Sequence, residues 1–310
     1  MLATITELFA EPWVLTLLKV VAVFAVVMPM VAYSVVAERR ISAWIQDRVG
    51  PNRVGIPFTN IKLLGLGQPL ADGLKSFVKE DFTPAHVRKV FYWMAPAVAM
   101  VPSFVVLAVL PFGSMLGEQK MVIADLDVGI LFTFGIVSLG VYGVVLAGYA
   151  SNSKYPFLGG IRSSAQMISY EIAMGMAVVP VFMLVGDLNL STVIDYQASG
   201  AWLVFKQPLA FAIFLIAIFA ETNRLPFDLP ESETELVAGY NTEYSSMRFA
   251  LFFMGEYAAM IAGSALMVVL FFGGWTLPFG DFSTHRPSRR LAKGSCTSAC
   301  SSRRSRCSLV

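Results

Sequence analysis

The sequence predicts an all-α fold, a polytopic bundle of transmembrane helices with one amphipathic helix at the membrane interface. Of its 310 residues, 56% are hydrophobic and only 14% are charged, whereas soluble domains average about 45–50% and about 25%. Six stretches hold the roughly 20 apolar residues that a helix needs to cross the hydrocarbon core. Because no water is present there to satisfy backbone groups, helices are the expected spanning element.

These six stretches are the predicted spans. The first is longer than the apolar core of a secretory signal, and Glu7 and Glu11 stand where such a signal carries positive charge. We therefore expect an uncleaved span at this position. The predicted spans cover residues 12–36, 92–110, 128–150, 165–185, 202–221 and 249–272.

The loop charges predict the orientation of the bundle. The connection 38–91 holds nine Lys and Arg residues, whereas the connections 111–127 and 186–201 hold Lys120 alone. Positive charge favours the cytoplasmic or matrix side. The first connection is therefore expected on that side, together with 151–164 and 222–248, and the N-terminus is expected on the other.

An amphipathic helix is predicted within the long first connection, over residues 68–80. Its apolar residues recur at spacings of three and four, which places them on one helical face, with charged residues elsewhere. This pattern is typical of a helix lying in or near the interface. The apolar residues are Leu70, Leu74, Phe77 and Val78, and the charged ones include Asp72, Lys75 and Lys79.

Ionisable residues inside predicted spans are candidates for function, because charge is costly in a bilayer. Glu171, Glu221 and Glu256 lie at comparable depths from the cytoplasmic side of three spans. They predict one polar cavity that opens to that side. The alternatives are structural hydrogen bonds for Glu171 and Glu256 and a hydrated helix end for Glu221, while Lys19 in the outer half of the first span is expected to reach the interface.

The connection 222–248 is rich in acids. The spacing of Asp228, Glu231 and Glu235 predicts that they share one face of a helix. Like charges at that spacing should raise some of their pKa values, as proton transfer requires. The alternative is that Asp228 and Glu231 form a helix cap, which leaves Glu233, Glu235 and Glu243 without a role.

Basic and amide side chains complete the candidate residues. Arg162, Gln166 and Ser169 form a polar stripe at the start of the fourth predicted span. Arg162 could equally be an ordinary cytoplasmic anchor, and the run at 38–40 could be a charged clamp at the interface. The sequence has no nucleotide-binding glycine motif, iron–sulfur cysteine set or metal-ligand set, so redox cofactors are expected in other chains.

The last 35 residues differ from the rest. Residues 276–310 carry seven Lys and Arg against Asp281 alone, and they contain all three cysteines of the chain. The orientation predicted above places this positive charge on the outer side, where it is disfavoured. We therefore divide the chain into a membrane domain, 1–275, and a Ser/Arg/Cys tail, 276–310, which is expected to be disordered or the product of a shifted reading frame.

Several loop motifs resemble a known family. The segments run in order at the spacing of the H-type membrane component (subunit 1 in mitochondria) of the proton-pumping NADH:quinone oxidoreductase, respiratory complex I. Together they span most of residues 1–275. The matching segments are 37–40, 48–55, 68–75, 79–81, 162–171, 221–231 and 243–246.

This resemblance implies a position at the junction of the hydrophilic and membrane arms, in a bacterial inner (plasma) or mitochondrial inner membrane. It implies eight helices, of which the last two are not evident after 276. Quinone would be the substrate, with NADH, FMN and iron–sulfur clusters in other subunits. Those subunits and lipid would be the partners, and neither nucleic acid nor a second copy of the chain is expected.

The resemblance also assigns residues to two regions. The quinone cavity would involve Arg39, Arg162, Gln166, Asp228 and Glu231. The acidic funnel toward the proton pumps would involve Glu38, Glu171, Glu221, Glu233, Glu235, Glu243 and Glu256, and Asp228 and Glu231 would belong to it as well. The alternatives are a stand-alone ion or solute transporter, although its usual internal repeats are not evident, and the membrane anchor of an energy-converting hydrogenase.

Overall fold

The structure, a computed structural model, describes residues 12–55, 65–116, 119–231 and 233–276. In this part of the chain the elements are helical apart from one short hairpin, as the composition predicts. The elements are α1 (Pro12–Ile45), α2 (Gln68–Val78), α3 (Lys89–Val106), β1 (Gly113–Leu116), β2 (Gln119–Met121), α4 (Gly129–Ala150), α5 (Lys154–Val185), α6 (Leu190–Ala198), α7 (Leu203–Lys206), α8 (Pro208–Glu221), α9 (Glu233–Leu236), a 3₁₀ turn (Gly239–Asn241) and α10 (Ser246–Phe271). The predicted tail lies outside the described residues from 277 onward.

Among the described residues, five helices are long and apolar enough to cross a membrane, namely α1, α3, α4, α5 and α10. They confirm five of the predicted spans, with two changes of boundary. The first helix continues past the predicted end at Val36 to Ile45, and the fourth begins at Lys154 instead of Ala165. Both extensions contain charged residues, Glu38, Arg39 and Arg40 in the first and Lys154 and Arg162 in the second, so an uninterrupted apolar stretch ends before them.

The predicted span 202–221 is not one continuous helix. It is divided at Gln207 into α7 and α8, and α8 has 14 residues, or about 21 Å of rise against a hydrocarbon core of about 30 Å. The physical reason is Pro208, which lacks an N–H group and starts a new helix at its first position. The Gln207 side chain donates to the Pro180 carbonyl at 3.1 Å, which ties the break to α5.

The acidic connection is also not the predicted helix. In the described part of this connection, residues 222–231 lie in turns and irregular backbone, and α-helix is confined to Glu233–Leu236. Asp228, Glu231 and Glu235 therefore do not share a helical face, and Asp228 caps no helix. Pro226 and Pro230 explain this, because each disfavours helical backbone in the residue before it and lacks an N–H donor. The chain therefore folds back as a loop over the ends of the long helices.

Helix α3 packs against both α4 and α10. Glycines permit this close packing: a Cβ on Gly143 would lie 2.4 Å from the Ala99 backbone, and one on Gly255 would lie 3.0 Å from the Met100 Cα. Small residues let membrane helices approach closely and gain van der Waals contact. The packing of α5 against both α4 and α8 extends the same bundle.

The two faces of the bundle carry different accessory elements. At the end of the bundle that the loop charges predict to face outward, Lys19 donates to the Lys120 and Val122 carbonyls at 2.7 and 3.1 Å, so its ammonium reaches that end. On the opposite face, α2 contacts α1 and α10 and exposes Leu70, Leu74, Phe77 and Val78. This confirms a helix at the predicted place, and its exposed apolar side chains are those that the periodicity placed on one face.

Candidate functional site

Two cavities lie near the candidate residues, and the larger of this pair lies where α1, α2 and α10 meet. Its volume is about 970 Å³. Its walls are largely apolar, and ionic side chains lie along it. The apolar residues include Val31, Val35, Phe249 and Phe253, and the ionic ones are Glu38, Arg39, Arg48, Asp72, Lys75 and Lys79. The cavity therefore combines an apolar interior with charged groups, as expected for an amphipathic ligand.

Arg39 and Asp72 connect two walls of the larger cavity. Arg39 Nη1 lies 2.9 Å from Asp72 Oδ2, and Gln68 Nε2 donates to the other Asp72 oxygen at 2.9 Å. The ion pair joins α1 to α2. Since the side chains are 52% and 40% exposed, the pair contributes to stability by about 1 kcal/mol at most, and its main effect is to set the position of α2.

The smaller cavity lies among α3, α4, α5, α8 and α10 and has a volume of about 110 Å³. A single water needs about 10–15 Å³ on this measure, so the cavity has room for several. Its walls are mostly apolar, with polar groups from five residues and two carboxylates. These are Ser103, Thr133, Thr222, Asn223, Tyr240, Glu221 and Glu256.

Arg224 lies between the two cavities. Its Nη1 atom lies 3.0 and 3.1 Å from the two Glu38 carboxylate oxygens, and its Nε atom lies 3.3 Å from Glu256 Oε1. Its guanidinium carbon lies 4.4 Å from the centre of the Tyr257 ring. Glu38 and Tyr257 line the larger cavity and Glu256 lines the smaller one, so a single cation contacts the walls of both.

The groups around Arg224 favour its charged form. Burial disfavours the cation, but Glu256, Tyr257 and Glu38 outweigh that effect and raise the pKa of Arg224. The Tyr257 hydroxyl also donates to Glu38 Oε2 at 2.6 Å, so Glu38 accepts from two partners. Glu256 additionally interacts electrostatically with Glu231 and Asp228. The cluster therefore has more carboxylates than cations.

Glu221 and Glu171 continue the acidic path beyond Glu256. Glu221 lines the smaller cavity, and its Oε2 atom is buried without a hydrogen-bond partner among the described residues. It interacts electrostatically with Glu171, whose Oε1 atom is hydrogen-bonded to Ser138 on α4. Glu171 does not line the smaller cavity, so the structure brings two of the three predicted acids into one cavity and places the third beside it.

Gln166 holds the acidic loop against the bundle. It is buried, and its side-chain nitrogen donates to the Ala220 and Phe227 carbonyls, both at 2.8 Å, and to Asn223 Oδ1 at 3.2 Å. The loop carries Asp228 and Glu231, and Glu231 accepts from Asn241 Nδ2 at 3.3 Å. Burial and then Glu256, Glu231 and Asp228 raise the pKa of nearby Tyr240, which keeps it a neutral donor.

Other predicted site residues lie away from this cluster. Arg162 pairs with Glu235 at 2.7 Å on the surface, and Glu243 lies 3.7 Å from His86. The Glu233 side chain lies outside the described part of the chain. Of the five residues predicted for the quinone cavity, Arg39 alone lines the larger cavity; Arg162, Gln166, Asp228 and Glu231 are not among its lining residues.

Sequence reasoning misses three central residues. The sequence indicates only that Arg224 offsets some of the negative charge of the acidic loop. It does not mark Tyr257 or Ser138 as candidate site residues. A polar side chain inside an apolar span is the signal that could identify Tyr257 and Ser138, because such groups need a partner there. No local pattern reveals that Arg224 reaches a glutamate 186 positions earlier in the chain.

Comparisons with known proteins agree on one family. Residues 18–299 match the NADH dehydrogenase family. The chain is 53% identical over 267 residues to an H-type chain, numbered 1, of the NADH-quinone oxidoreductase of Geobacter metallireducens, covering 85% of this chain and 79% of the relative. It is 46% identical over 264 residues to the corresponding chain of Cytophaga hutchinsonii, covering 84% and 75%, and 50% identical over 267 residues to that of Paramagnetospirillum magneticum, covering 85% and 74%.

Proposed function

The chain belongs to the NADH dehydrogenase family, and from that membership we propose that it is the H-type membrane component of a proton-translocating NADH:quinone oxidoreductase. Its partners are then the other subunits of the hydrophilic and membrane arms, which carry NADH, FMN and the iron–sulfur clusters. Its location is the bacterial inner or the mitochondrial inner membrane. The names of the relatives favour neither a stand-alone transporter nor a hydrogenase anchor.

The larger cavity is the proposed access route for quinone. An isoprenoid tail is apolar and a quinone head is polar, and the cavity offers both an apolar wall and charged groups. Its volume of about 970 Å³ is at the upper end of the roughly 300–1,000 Å³ of small-molecule sites. Arg39 and Glu38 lie on the wall from α1, so a head group passing them changes the field that acts on Glu38.

The cluster around Arg224 is the proposed link from quinone to proton movement. Reduction of a quinone by two electrons takes up two protons, and negative charge developing in a medium of low dielectric favours protonation of nearby carboxylates. Glu38 and Glu256 share one guanidinium. When Glu38 gains a proton, its attraction for Arg224 weakens, and the cation is free to stabilise the Glu256 carboxylate.

Beyond Glu256, a proton would move through the smaller cavity to the next acid. Glu221 lines the same cavity, and water there could carry a proton between the two carboxylates. Glu171 interacts with Glu221 and is the next acid along the bundle. These groups would titrate as one coupled set and not as independent sites. The observation that carries the proposal is the single cation that contacts the walls of both cavities.

The test replaces acids by amides in the intact complex. Glu171→Gln, Glu256→Gln and Asp228→Asn should each assemble, since the shape is kept, and should lower NADH:quinone turnover and proton pumping by about 10-fold or more. The matched control is Asp47→Asn, an exposed acid at a left-handed backbone position that asparagine accepts well. Native gels would establish assembly, and pH-sensitive dyes in membrane vesicles would report pumping.

Two results would decide against this proposal. If the three amide variants keep the turnover and pumping of the Asp47→Asn control, these acids are not on the coupling route. If the purified chain is a homo-oligomer without unlike partners, it is not part of the oxidoreductase.

A further inference from the structure

Ser138 on α4 contacts two hydrogen-bond acceptors at once. Its hydroxyl oxygen lies 3.0 Å from the Phe134 carbonyl oxygen, one turn earlier in the same helix, and it is also hydrogen-bonded to Glu171 Oε1 on α5. The residue is half-buried. This is the described contact that connects the Glu171 carboxyl to α4.

A count of protons shows that both bonds exist together in only one state of Glu171. A serine hydroxyl has one proton to donate. If Glu171 is ionised, the hydroxyl can donate to it or to Phe134, but not to both. If Glu171 is protonated, its own O–H donates to the Ser138 oxygen, and the Ser138 proton is free to bond the Phe134 carbonyl.

We infer that Ser138 is a positioning residue that holds the Glu171 carboxyl in both of its protonation states, by turning its O–H between the carboxylate and the Phe134 carbonyl. The inference rests on the proposed function, in which Glu171 gains and loses a proton. Ser138 itself keeps its proton throughout. The proton that Glu171 gains comes from the acid path, and only the direction of the Ser138 O–H bond changes.

The Phe134 carbonyl keeps the free-energy cost of turning the Ser138 O–H low. The Phe134 carbonyl already accepts the regular helical bond from the residue four positions later, and a carbonyl oxygen has a second lone pair for the hydroxyl. When the hydroxyl turns toward Glu171, the carbonyl therefore keeps its main-chain partner. Without Ser138, the partly buried Glu171 carboxyl would lose this partner in both states, and a polar group that is withdrawn from water without a partner is costly.

The experiment compares two variants of the same shape in the intact complex. Ser138→Thr keeps the hydroxyl, and Ser138→Val replaces it by a methyl group. Ser138→Ala adds a variant smaller than the native residue. The control is Ser34→Ala on α1, because Ser34 is not among the lining residues of either cavity and its described hydrogen bond is to the Met30 carbonyl, one turn earlier in its own helix.

Two measurements report the result. We expect NADH:quinone turnover to fall about 3- to 10-fold in Ser138→Val and Ser138→Ala, the effect of losing one hydrogen bond of typical strength, and to remain near the native rate in Ser138→Thr and Ser34→Ala. In redox-induced infrared difference spectra, the protonated-carboxyl band that Glu171→Gln removes should move to higher frequency in the Val and Ala variants only.

The outcomes separate this inference from the proposal on which it rests. If the Val and Ala variants keep both the native turnover and the native band position, Ser138 does not position Glu171 and the inference is overturned. If Glu171→Gln removes no redox-dependent band and keeps full turnover, the role of Glu171 fails first, and the inference fails with it. Equal losses in Thr and Val would show an effect of side-chain size and would also overturn it.

Discussion

Two charged clusters at opposite ends of the bundle use similar side chains to different effect. In the inner cluster, which comprises Arg224, Glu38, Glu256 and Tyr257, one cation serves two carboxylates between two cavities. In the outer cluster, which comprises Lys120, Asp125 and Asn189, one cation meets one carboxylate at the surface. In the inner cluster, Glu38 and Glu256 therefore compete for the charge of Arg224. In the outer cluster, the charges of Lys120 and Asp125 balance each other, and their ion pair holds the loop that carries Asp125.

Burial increases this difference. The side chains of Arg224 and Glu256 are 19% and 14% exposed, so their interaction is little screened by water and each depends on the other. Lys120 and Asp125 are 46% and 33% exposed, so water and salt weaken their attraction. The charge of Arg224 therefore acts on carboxylates in the walls of two cavities, because it is shielded from water and shared. The charge of Lys120 acts on its single partner, because that pair is exposed.

The largest effect is expected from removing the shared cation. Arg224→Gln leaves Glu38 and Glu256 without their counter-charge, and breaking such a pair costs about 3–5 kcal/mol when it is buried. We expect much less assembled complex and at least about 10-fold lower turnover in what remains. Quantitative native gels with turnover per assembled complex would measure both.

Arg224→Lys separates the effect of the positive charge from the effect of the shared contact. Lysine keeps the charge but has no planar fork to contact Glu38 and Glu256 together, so assembly should largely recover while turnover stays low. Lys154→Gln, at an exposed position on the same side of the bundle, is the control. Full turnover in Arg224→Lys would mean that charge alone matters and that sharing does not.

A smaller effect is expected where the inner cluster is held by neutral bonds. Gln166→Leu removes the donor shared by the Ala220 and Phe227 carbonyls and Asn223, and leaving such acceptors unpartnered costs about 1–3 kcal/mol. We expect the complex to inactivate at a lower temperature, with the loop 222–231 more open to protease. Native heat resistance and cleavage would contradict a clamping role for Gln166.

Tyr257→Phe tests the hydrogen bond within the inner cluster. It removes one bond to Glu38 and keeps the ring beneath Arg224, at an expected cost of about 1–2 kcal/mol, since the acceptor is a carboxylate. Turnover should fall several-fold, and assembly should be unchanged. The pH profile of turnover should shift in this variant; a profile that coincides with the native one would exclude Tyr257 from the control of Glu38.

The smallest effect is expected in the outer cluster, and it depends on pH. Burial opposes the Asp125 charge, but Lys120 and Asn189 outweigh it and lower the pKa of Asp125. A lowered folded pKa stabilises the protein above the unfolded value of about 3.9, and that contribution is lost as the pH falls through the lower folded value. Asp125→Asn should therefore reduce stability at pH 7 by less than about 1 kcal/mol.

The measurement for Asp125→Asn is thermal inactivation of the complex at neutral pH and near pH 4. The difference from the native complex should shrink at the acid end, because the native carboxylate is then closer to protonation. A difference that grows on acidification would reverse the expected sign. A loss of pumping as large as that of Arg224→Gln would contradict the contrast between the two clusters.

Local chemistry explains which predictions succeeded. The spans followed from apolar length, because each helix must satisfy its own backbone in the bilayer, and α2 followed from its periodicity. The helix predicted for the acidic loop is wrong because charge spacing favours it while Pro226 and Pro230 prevent it. The single span 202–221 is wrong for the related reason that Pro208 begins a separate helix.

The sequence by itself determined the class of protein, the family, the side of the membrane expected for each loop and the acids available for proton transfer. The tertiary structure alone decided which of those acids meet: Glu38 and Glu256 come together through Arg224, Glu221 faces the cavity of Glu256, and Glu235 remains at the surface with Arg162. The physical reason is that hydropathy is a property of each segment, whereas the energy of a buried charge depends on partners that distant segments supply.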